Sequence, residues 1–514
     1  MKLNCPTTKI LGPPGTGKTT TLLKILENDV IPNTEPRKIV YTSYTRTGVF
    51  NARDRACASF GLNERDFPYF ATMHSICLRH QNRVPMMEYT DWIALGKRLR
   101  TSFTFTTRAT ETGGFKTKGD AYRDVYDYQR KVGCGLDEAK FTIAPSIPIN
   151  HVQYFIDTYK EYKAVKGKMD FTDQLSNFLD SSFHLEVDYI ICDEVQDFFP
   201  LQWEVLQKFS INAKHVYVAG DDDQCIHAWS GSRAEDLIDL EGTEVVLPKS
   251  YRLSPEIKER ADRIITNVSK RIKKEYASET HTGIITSYKD PINLPITETG
   301  KESWLLLSRN WKFTERFRDL CDLKCLLYEV VGADGGDRRN GGRVSTTDIF
   351  RGINTWKKLN EGQQILAIDA KVLYRILPTK TRIKNGFKKI MEEMEDYSLL
   401  NMSDLVNSYG LLFDKASWVD AFKGLPSHTI QKFKTAEEHG ELEHENVRIK
   451  ISSIHSAKGM EADNVAIDYT MSPNTWKSYL KNKDNEHRVA YVGVTRAIKH
   501  LHIVSPITNQ FYNL

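Results

Sequence analysis

Short apolar, β-branched runs recur along the chain, each followed by polar or helical patterning. Thr8–Leu11 (TKIL), Lys38–Thr42 (KIVYT), Val187–Cys192 (VDYIIC), His215–Ala219 (HVYVA) and Glu244–Pro248 (EVVLP) predict one set of strands. Ser303–Ser308 (SWLLLS), Val447–Ser452 (VRIKIS), Asn464–Tyr469 (NVAIDY) and His500–Val504 (HLHIV) predict a second. Continuous apolar runs, rather than strict alternation, mark parallel strands covered on both faces. Between these sets lie stretches of another character. Residues 80–150 are polar and helix-like, with the loop-rich TRATETGGFKTKGD. Residues 333–445 open with ADGGDRRNGGR and continue as amphipathic helices that include the basic TKTRIKNGFKK. No repeat period is evident. The pattern predicts an α/β protein with two parallel-sheet cores, each interrupted by a mostly helical insertion.

Composition changes this picture little. A chain of 514 residues is too long for one core, and 40% hydrophobic, 27% charged and 11% aromatic residues describe an ordinary globular protein. A net charge of +4 and a pI of 8.4 tolerate a nucleic-acid partner without demanding one. No apolar run approaches the roughly 20 residues that span a bilayer. The opening MKLNCPTTKILGPPG reaches a glycine turn before a signal-peptide core can form, so a cytoplasmic location is expected. The eight cysteines are scattered, and only Cys321 and Cys325 lie close together. With no second pair to complete a zinc site, reduced and packed thiols are expected.

Candidate chemistry begins at Gly12, Pro13, Pro14, Gly15, Thr16, Gly17, Lys18, Thr19 and Thr20, which match G-x-x-x-x-G-K-[ST] between a strand and a helix. Backbone N–H groups of such a loop cradle phosphates, Lys18 reaches the β- and γ-phosphates, and Thr19 offers a hydroxyl to Mg²⁺. This motif alone is shared by kinases, GTPases, ring ATPases and helicases. VDYIICDEVQD (Val187–Asp197) supplies the partner strand. Asp193 at its end suits the Mg²⁺ shell, and Glu194 suits orienting or deprotonating the attacking water. Gln196 and Asp197 exceed what simple hydrolysis needs and point to a relay.

VAGDDDQCIHAW (Val218–Trp229) is more ambiguous, since Asp221, Asp222 and Asp223 read as a metal site, a turn or a switch region. The remaining motifs favour the last. In order along the chain stand GPPGTGKTT, YTSYTRTG (Tyr41–Gly48), ATMHS (Ala71–Ser75), DEVQD and AGDDDQCIHAW. LPKSYRLS (Leu247–Ser254), SSIHSAKGME (Ser452–Glu461) and VAYVGVTRA (Val489–Ala497) follow, and MDFTDQL (Met169–Leu175) precedes DEVQD. This ordered set resembles the UvrD/Rep-type superfamily 1 DNA helicases across both cores.

The resemblance implies two RecA-like cores. Residues 1–79 and 151–250 would form the first, interrupted by 80–150; residues 251–332 and 446–514 would form the second, interrupted by 333–445. It further implies that Gln224 senses the γ-phosphate and that Arg252 and Arg496 reach it as arginine fingers. Tyr251 would stack on adenine and Glu461 would lie near the ribose. Tyr44, His227 and Trp229 would stack on single-stranded bases, and Thr72, His74 and Arg309 would contact the strand's backbone. ATP and Mg²⁺ are the implied cofactors. Single-stranded DNA and its junctions with duplex are the implied partners, and the protein would act as a monomer. Movement 3′→5′ is implied by the family alone.

Departures accompany the likeness. Met1–Leu11 lacks the glutamine that reads adenine, WSG replaces the usual W-R-G, and His227 stands where tyrosine is common. Both insertions are short for the family. The expected function is an ATP-dependent DNA helicase or translocase. The rivals are an RNA helicase or nucleoprotein remodeller on the same scaffold, a ring-forming ATPase, and a nucleotide-gated DNA-binding protein with vestigial hydrolysis.

Overall fold

Five of the apolar runs form one sheet: β1 (Thr7–Leu11), β2 (Ile39–Ser43), β3 (Tyr189–Asp193), β4 (His215–Gly220) and β5 (Thr243–Val246). The computed structural model describes residues 1–44, 46–81, 84–104, 117–332, 345–413, 416–444 and 446–514, without the side chains of Arg46 and Thr47. The strands run in the order β2-β3-β4-β1-β5, and each adjacent pair is parallel. Successive side chains point to opposite faces. Val40, Ile190, Cys192 and Val218 enter one apolar core, while Ile39, Tyr41, Ile191 and Ala219 enter another. Both faces are therefore buried, and the alternation expected of a half-exposed strand disappears. Predicted as buried, β5 departs from this pattern. It is the edge strand, and Val245 is 43% exposed.

The first insertion consists of helices Tyr89–Leu99, Lys118–Val132, Leu136–Ile143 and Ile149–Lys166. They enclose their own core of Trp92, Tyr122, Phe155 and Tyr159. The bundle continues past residue 150 to Lys166. Residues 107–116 of TRATETGGFKTKGD and all of ADGGDRRNGGR lie outside the described residues.

A second sheet contains β6 (Ile284–Tyr288), β7 (Trp304–Ser308), β8 (Glu329–Val330), β11 (Ile449–Ser453), β12 (Ala462–Asp468) and β13 (Ala497–Val504), in the order β6-β13-β12-β7-β11-β8. Its β12-β7-β11-β8 portion is parallel. Trp304, Leu306, Phe317 and Ile451 pack its core. The second insertion, whose helices run from Thr346–Asn360 to Ser427–Glu438, packs around Phe350, Trp356, Leu373 and Phe433. It includes a short antiparallel ribbon of β9 (Ile365–Leu366) and β10 (Leu399–Leu400). Among the described residues, no helix is long and apolar enough to cross a membrane.

Contacts divide the chain into two compact units. One comprises Met1–Ile285, Met471–Lys499 and Thr508–Leu514; the other comprises Thr286–Thr470 and His500–Ile507. Residues 251–285 and 471–499, which the sequence motifs place with the second core, make their contacts in the first unit. Helices Pro255–Ile265 and Lys483–Val494 pack together there. The backbone N–H of Ile272, which follows the first helix, and the Arg488 side chain of the second both donate to Asp222 in the turn that follows β4. Long-range bonds of this kind leave no periodic trace in the sequence.

Candidate functional site

Parallel pairing brings the ends of β1, β3 and β4 to one edge of the first sheet, and the candidate residues gather there. After β1, the loop turns through Gly15 (φ 76°) and Gly17 (φ 79°), both left-handed, into the helix Lys18–Ile25. Its close contacts favour glycine independently of φ. A Cβ on Gly12 would fall 2.2 Å from Lys18 Cγ, and one on Gly15 would fall 2.4 Å from Arg252 Cβ. The Thr16 hydroxyl donates to Pro13 O at 2.8 Å, and the Lys18 ammonium donates to Gly12 O at 2.8 Å. Thr20 is exposed. The segment Ser250–Arg252 lies against this loop: Ser250 Oγ donates to Pro14 O at 2.7 Å and Tyr251 N to Gly15 O at 2.8 Å. Tyr251 presents a ring that is 69% exposed, with Lys249 Nζ 5.3 Å from its centroid.

Asp193 ends β3 beside the loop and accepts from Thr19 Oγ1 at 2.6 Å. Burial, followed by the neighbouring Glu194 charge, pushes Asp193 up to about 6, against the pull of Thr19 and Lys18. A carboxylate short of positive charge, paired with a hydroxyl, is a fitting hard-oxygen donor set for Mg²⁺. Glu194 takes a left-handed conformation (φ 55°) and donates its N–H to Asp193 Oδ1 at 2.9 Å. Its own carboxylate accepts from Gln196 Nε2 at 2.5 Å.

Gln196 extends the network to the next strand end. Its Oε1 accepts from Asp221 N at 3.1 Å, and Asp221 Oδ2 accepts from Gln224 Nε2 at 2.8 Å. Gln224 Oε1 in turn accepts from Arg496 Nη2 at 3.1 Å. Arg496 is only 1% exposed and also donates to Val492 O and Thr495 Oγ1. Arg252 Nη1 donates to Thr495 O at 3.4 Å. Burial of Arg496 excludes a surface ion pair for that residue. Lys18, Thr19, Asp193, Glu194, Gln224, Tyr251, Arg252 and Arg496 thus share one unit. Glu461, exposed just before β12, and Arg309, buried at the end of β7, belong to the other unit.

The acidic triplet has its counter-charges within the chain. Asp221, Asp222 and Asp223 are no more than 1% exposed, and their carboxylates lie close enough together to suggest a metal site. Lys274 Nζ instead contacts all three, at 3.0 Å from Asp221 and 2.9 Å from Asp223, with a close bond to Asp222. Arg271 forks onto Asp223 at 2.8 and 2.5 Å, and Ile272 N donates to Asp222 at 2.9 Å. Burial raises Asp221, but Lys274 and then Lys18 outweigh it and hold that carboxyl below its ordinary range. Asp222 rises to about 6, through burial and its two acidic neighbours, despite Lys274. Sequence reading missed Lys274 and Arg271, because a basic run such as RIKK normally marks a solvated face. Three consecutive acids after a buried strand were the available signal that buried cations must lie nearby.

Beyond this turn, rings line up. Tyr44 stacks on His227 (centroids 6.0 Å apart, planes 15° apart), and His227 meets Trp229 edge-on at 5.9 Å. The Trp229 indole N–H is buried and has no partner among the described residues. Ser230 Oγ donates to His227 O at 2.8 Å, which steadies the turn. Thr72 caps the helix Met73–Arg79 by accepting from Ser75 N, a sufficient structural reason for a threonine there. His74 is half-buried and meets Phe171 edge-on at 6.2 Å. Burial, with Lys131 adding to it, lowers His74 to about 4, so its imidazole is neutral at physiological pH.

A family model described as the UvrD/REP helicase N-terminal domain matches residues 2–243, and one described as the UvrD-like helicase C-terminal domain matches residues 347–506. A probable DNA helicase II homolog of Rickettsia conorii (strain ATCC VR-613 / Malish 7) is 21% identical over 599 aligned positions, covering 96% of this chain and 89% of that protein. The ATP-dependent DNA helicase Rep of Escherichia coli (strain K12) is 23% identical over 410 positions, covering 62% of this chain and 60% of that protein. A second probable DNA helicase II homolog, from Mycoplasma capricolum subsp. capricolum (strain California kid / ATCC 27343 / NCTC 10154), reaches 31% identity over 101 positions, covering 19% of this chain and 14% of that protein.

Proposed function

The chain belongs to the UvrD/REP helicases, and from that premise we propose that it hydrolyses ATP to move along single-stranded DNA and separate duplex ahead of it, in the 3′→5′ direction. The observation that carries this reading is the continuous polar path Glu194–Gln196–Asp221–Gln224–Arg496, whose Gln224 stands on the same turn as, and shortly before, the His227 and Trp229 rings that meet Tyr44. A plain ATPase has no use for such a link.

In this reading the Gly12–Thr20 amides bind the phosphates, and the Lys18 ammonium exchanges Gly12 O for the γ-phosphate. Thr19 and Asp193 hold Mg²⁺, which neutralises developing phosphate charge when bound. Glu194, oriented by Gln196, takes the proton of the attacking water. Gln224, Arg252 and Arg496 stabilise the transferring group, and loss of the γ-phosphate frees Gln224 to move the turn carrying Trp229. Tyr251 stacks on the base, and Glu461 is assigned to the ribose. Tyr44, His227 and Trp229 stack on successive bases, while Thr72, His74 and Arg309 position the strand. The active form is a monomer working at single-strand/duplex junctions.

Strand separation on duplexes bearing a 3′ or a 5′ tail, with Lys18→Ala as control, tests the proposal. Unwinding from the 3′ tail alone is expected. Stimulation of hydrolysis by RNA and not DNA oligomers would overturn the substrate assignment.

A further inference from the structure

Asp221 is the pivot of the polar path, and both of its oxygens are committed. Oδ2 accepts from Gln224 at 2.8 Å; Oδ1 faces Lys274 Nζ at 3.0 Å and accepts from Asp223 N at 3.2 Å. A carboxylate only accepts and a guanidinium only donates, so the Gln224 amide between them has one workable orientation. Its Nε2 must face Asp221 and its Oε1 must face Arg496, as observed. Whatever fixes the Asp221 carboxylate therefore fixes the sensing amide. Lys274 does so from a site where its side chain is 1% exposed and shut off from bulk solvent.

From this geometry we propose that Lys274 is a positioning residue of the hydrolytic site, orienting Gln224 and Arg496 through the Asp221 carboxylate. The inference rests on the proposed ATPase reading and adds to it a residue outside every recognised motif. Lys274 also closes a loop in the chain. The stretch that starts at Ser250–Arg252 on the phosphate loop passes through helix Pro255–Ile265 and returns at Arg271–Lys274 to the acidic turn. Movement of Arg252 and movement of Gln224 are thereby coupled at both ends of one segment. Arg488 adds a third tie, donating to Asp222 O at 3.0 Å and to Lys270 O at 2.9 Å.

The test uses the full-length chain and measures DNA-stimulated turnover, the KM for ATP and thermal unfolding. Lys274→Met is expected to lower kcat about a hundredfold with KM within about twofold, the pattern of a group that acts in the transition state. Removing the ammonium also strands three buried acids, so stability will fall. The double variant Lys274→Met with Asp222→Asn separates the two effects by restoring the charge balance while leaving Asp221 without its ammonium. It should melt near the parental temperature and remain slow. Parental kcat in Lys274→Met, or full recovery of kcat with stability in the double variant, would overturn the positioning role. A parental protein that hydrolyses no ATP, with Lys18→Ala indistinguishable from it, would instead sink the ATPase reading itself.

Discussion

β3 and β4 are neighbours in the sheet and each leads into acidic residues, yet the fold surrounds the two acidic groups differently. Asp193 and Glu194 lie beside the phosphate loop, where Lys18 pulls against burial and the Asp193 carboxyl is still pushed up toward neutrality. Asp221–Asp223 are buried more deeply but face Lys274 and Arg271. What differs is the counter-charge at hand: Lys274 and Arg271 for the triplet, Lys18 for Asp193. Three clustered buried carboxylates are thus no evidence for a metal when a lysine fills their centre.

Each half of this contrast can be broken. Lys18→Ala, which removes a cation beside the first pair, should abolish turnover in a phosphate-release assay. Glu194→Gln should lower turnover by about 10²- to 10⁴-fold while nucleotide still binds, as read by fluorescence of an ATP analogue. Parental hydrolysis by Glu194→Gln would remove it as the water-activating acid. In the second group, Asp223→Ala should destabilise the protein by about 3–5 kcal/mol in a denaturant titration, because Arg271 and Lys274 lose a buried partner. An unchanged midpoint would mean that these cations do not need it. Further along the same turn, Trp229→Ala should weaken single-strand binding by about 1–3 kcal/mol with ATP affinity intact, measured by fluorescence anisotropy.

A third acid cluster sharpens the comparison through pH. Burial would raise Asp170, but Arg130 and Lys163 overcome it and hold the carboxyl well below its usual range. Folded-state affinity for the proton is then lower than the unfolded value of about 3.9, so the cluster's contribution is complete above that pH and is lost as pH falls below it. Thermal melts between pH 5 and pH 3 should show this loss, and Arg130→Met should shrink it.

Legibility in the sequence followed the range of the interactions. Strand runs, the phosphate loop and the Asp193–Glu194 strand end are local patterns, readable because each residue's neighbours in space are also its neighbours in sequence. Lys274 was not readable, since its partners lie about 50 residues earlier. The contacts that residues 251–285 and 471–499 make within the first unit were not readable for the same reason. β5 misled in another way: apolar content says that a strand exists, but position in the sheet decides whether it is covered. Family likeness alone pointed to Thr72 and Arg309 as strand contacts; the structure adds a capping bond at Thr72 and burial of Arg309 at the end of β7.

The left-handed backbone at Glu194 sets fitness for chemistry against comfort of the chain. A β-carbon in that region is disfavoured by roughly 1–2 kcal/mol, a penalty that glycine escapes. Glu194→Gly would therefore relax the backbone at the residue proposed to activate water, although glycine's extra freedom in the unfolded chain offsets part of that gain. Selection for heat tolerance alone would drift toward inactive protein at this position, and a laboratory wanting a durable, stalled complex could exploit the same drift.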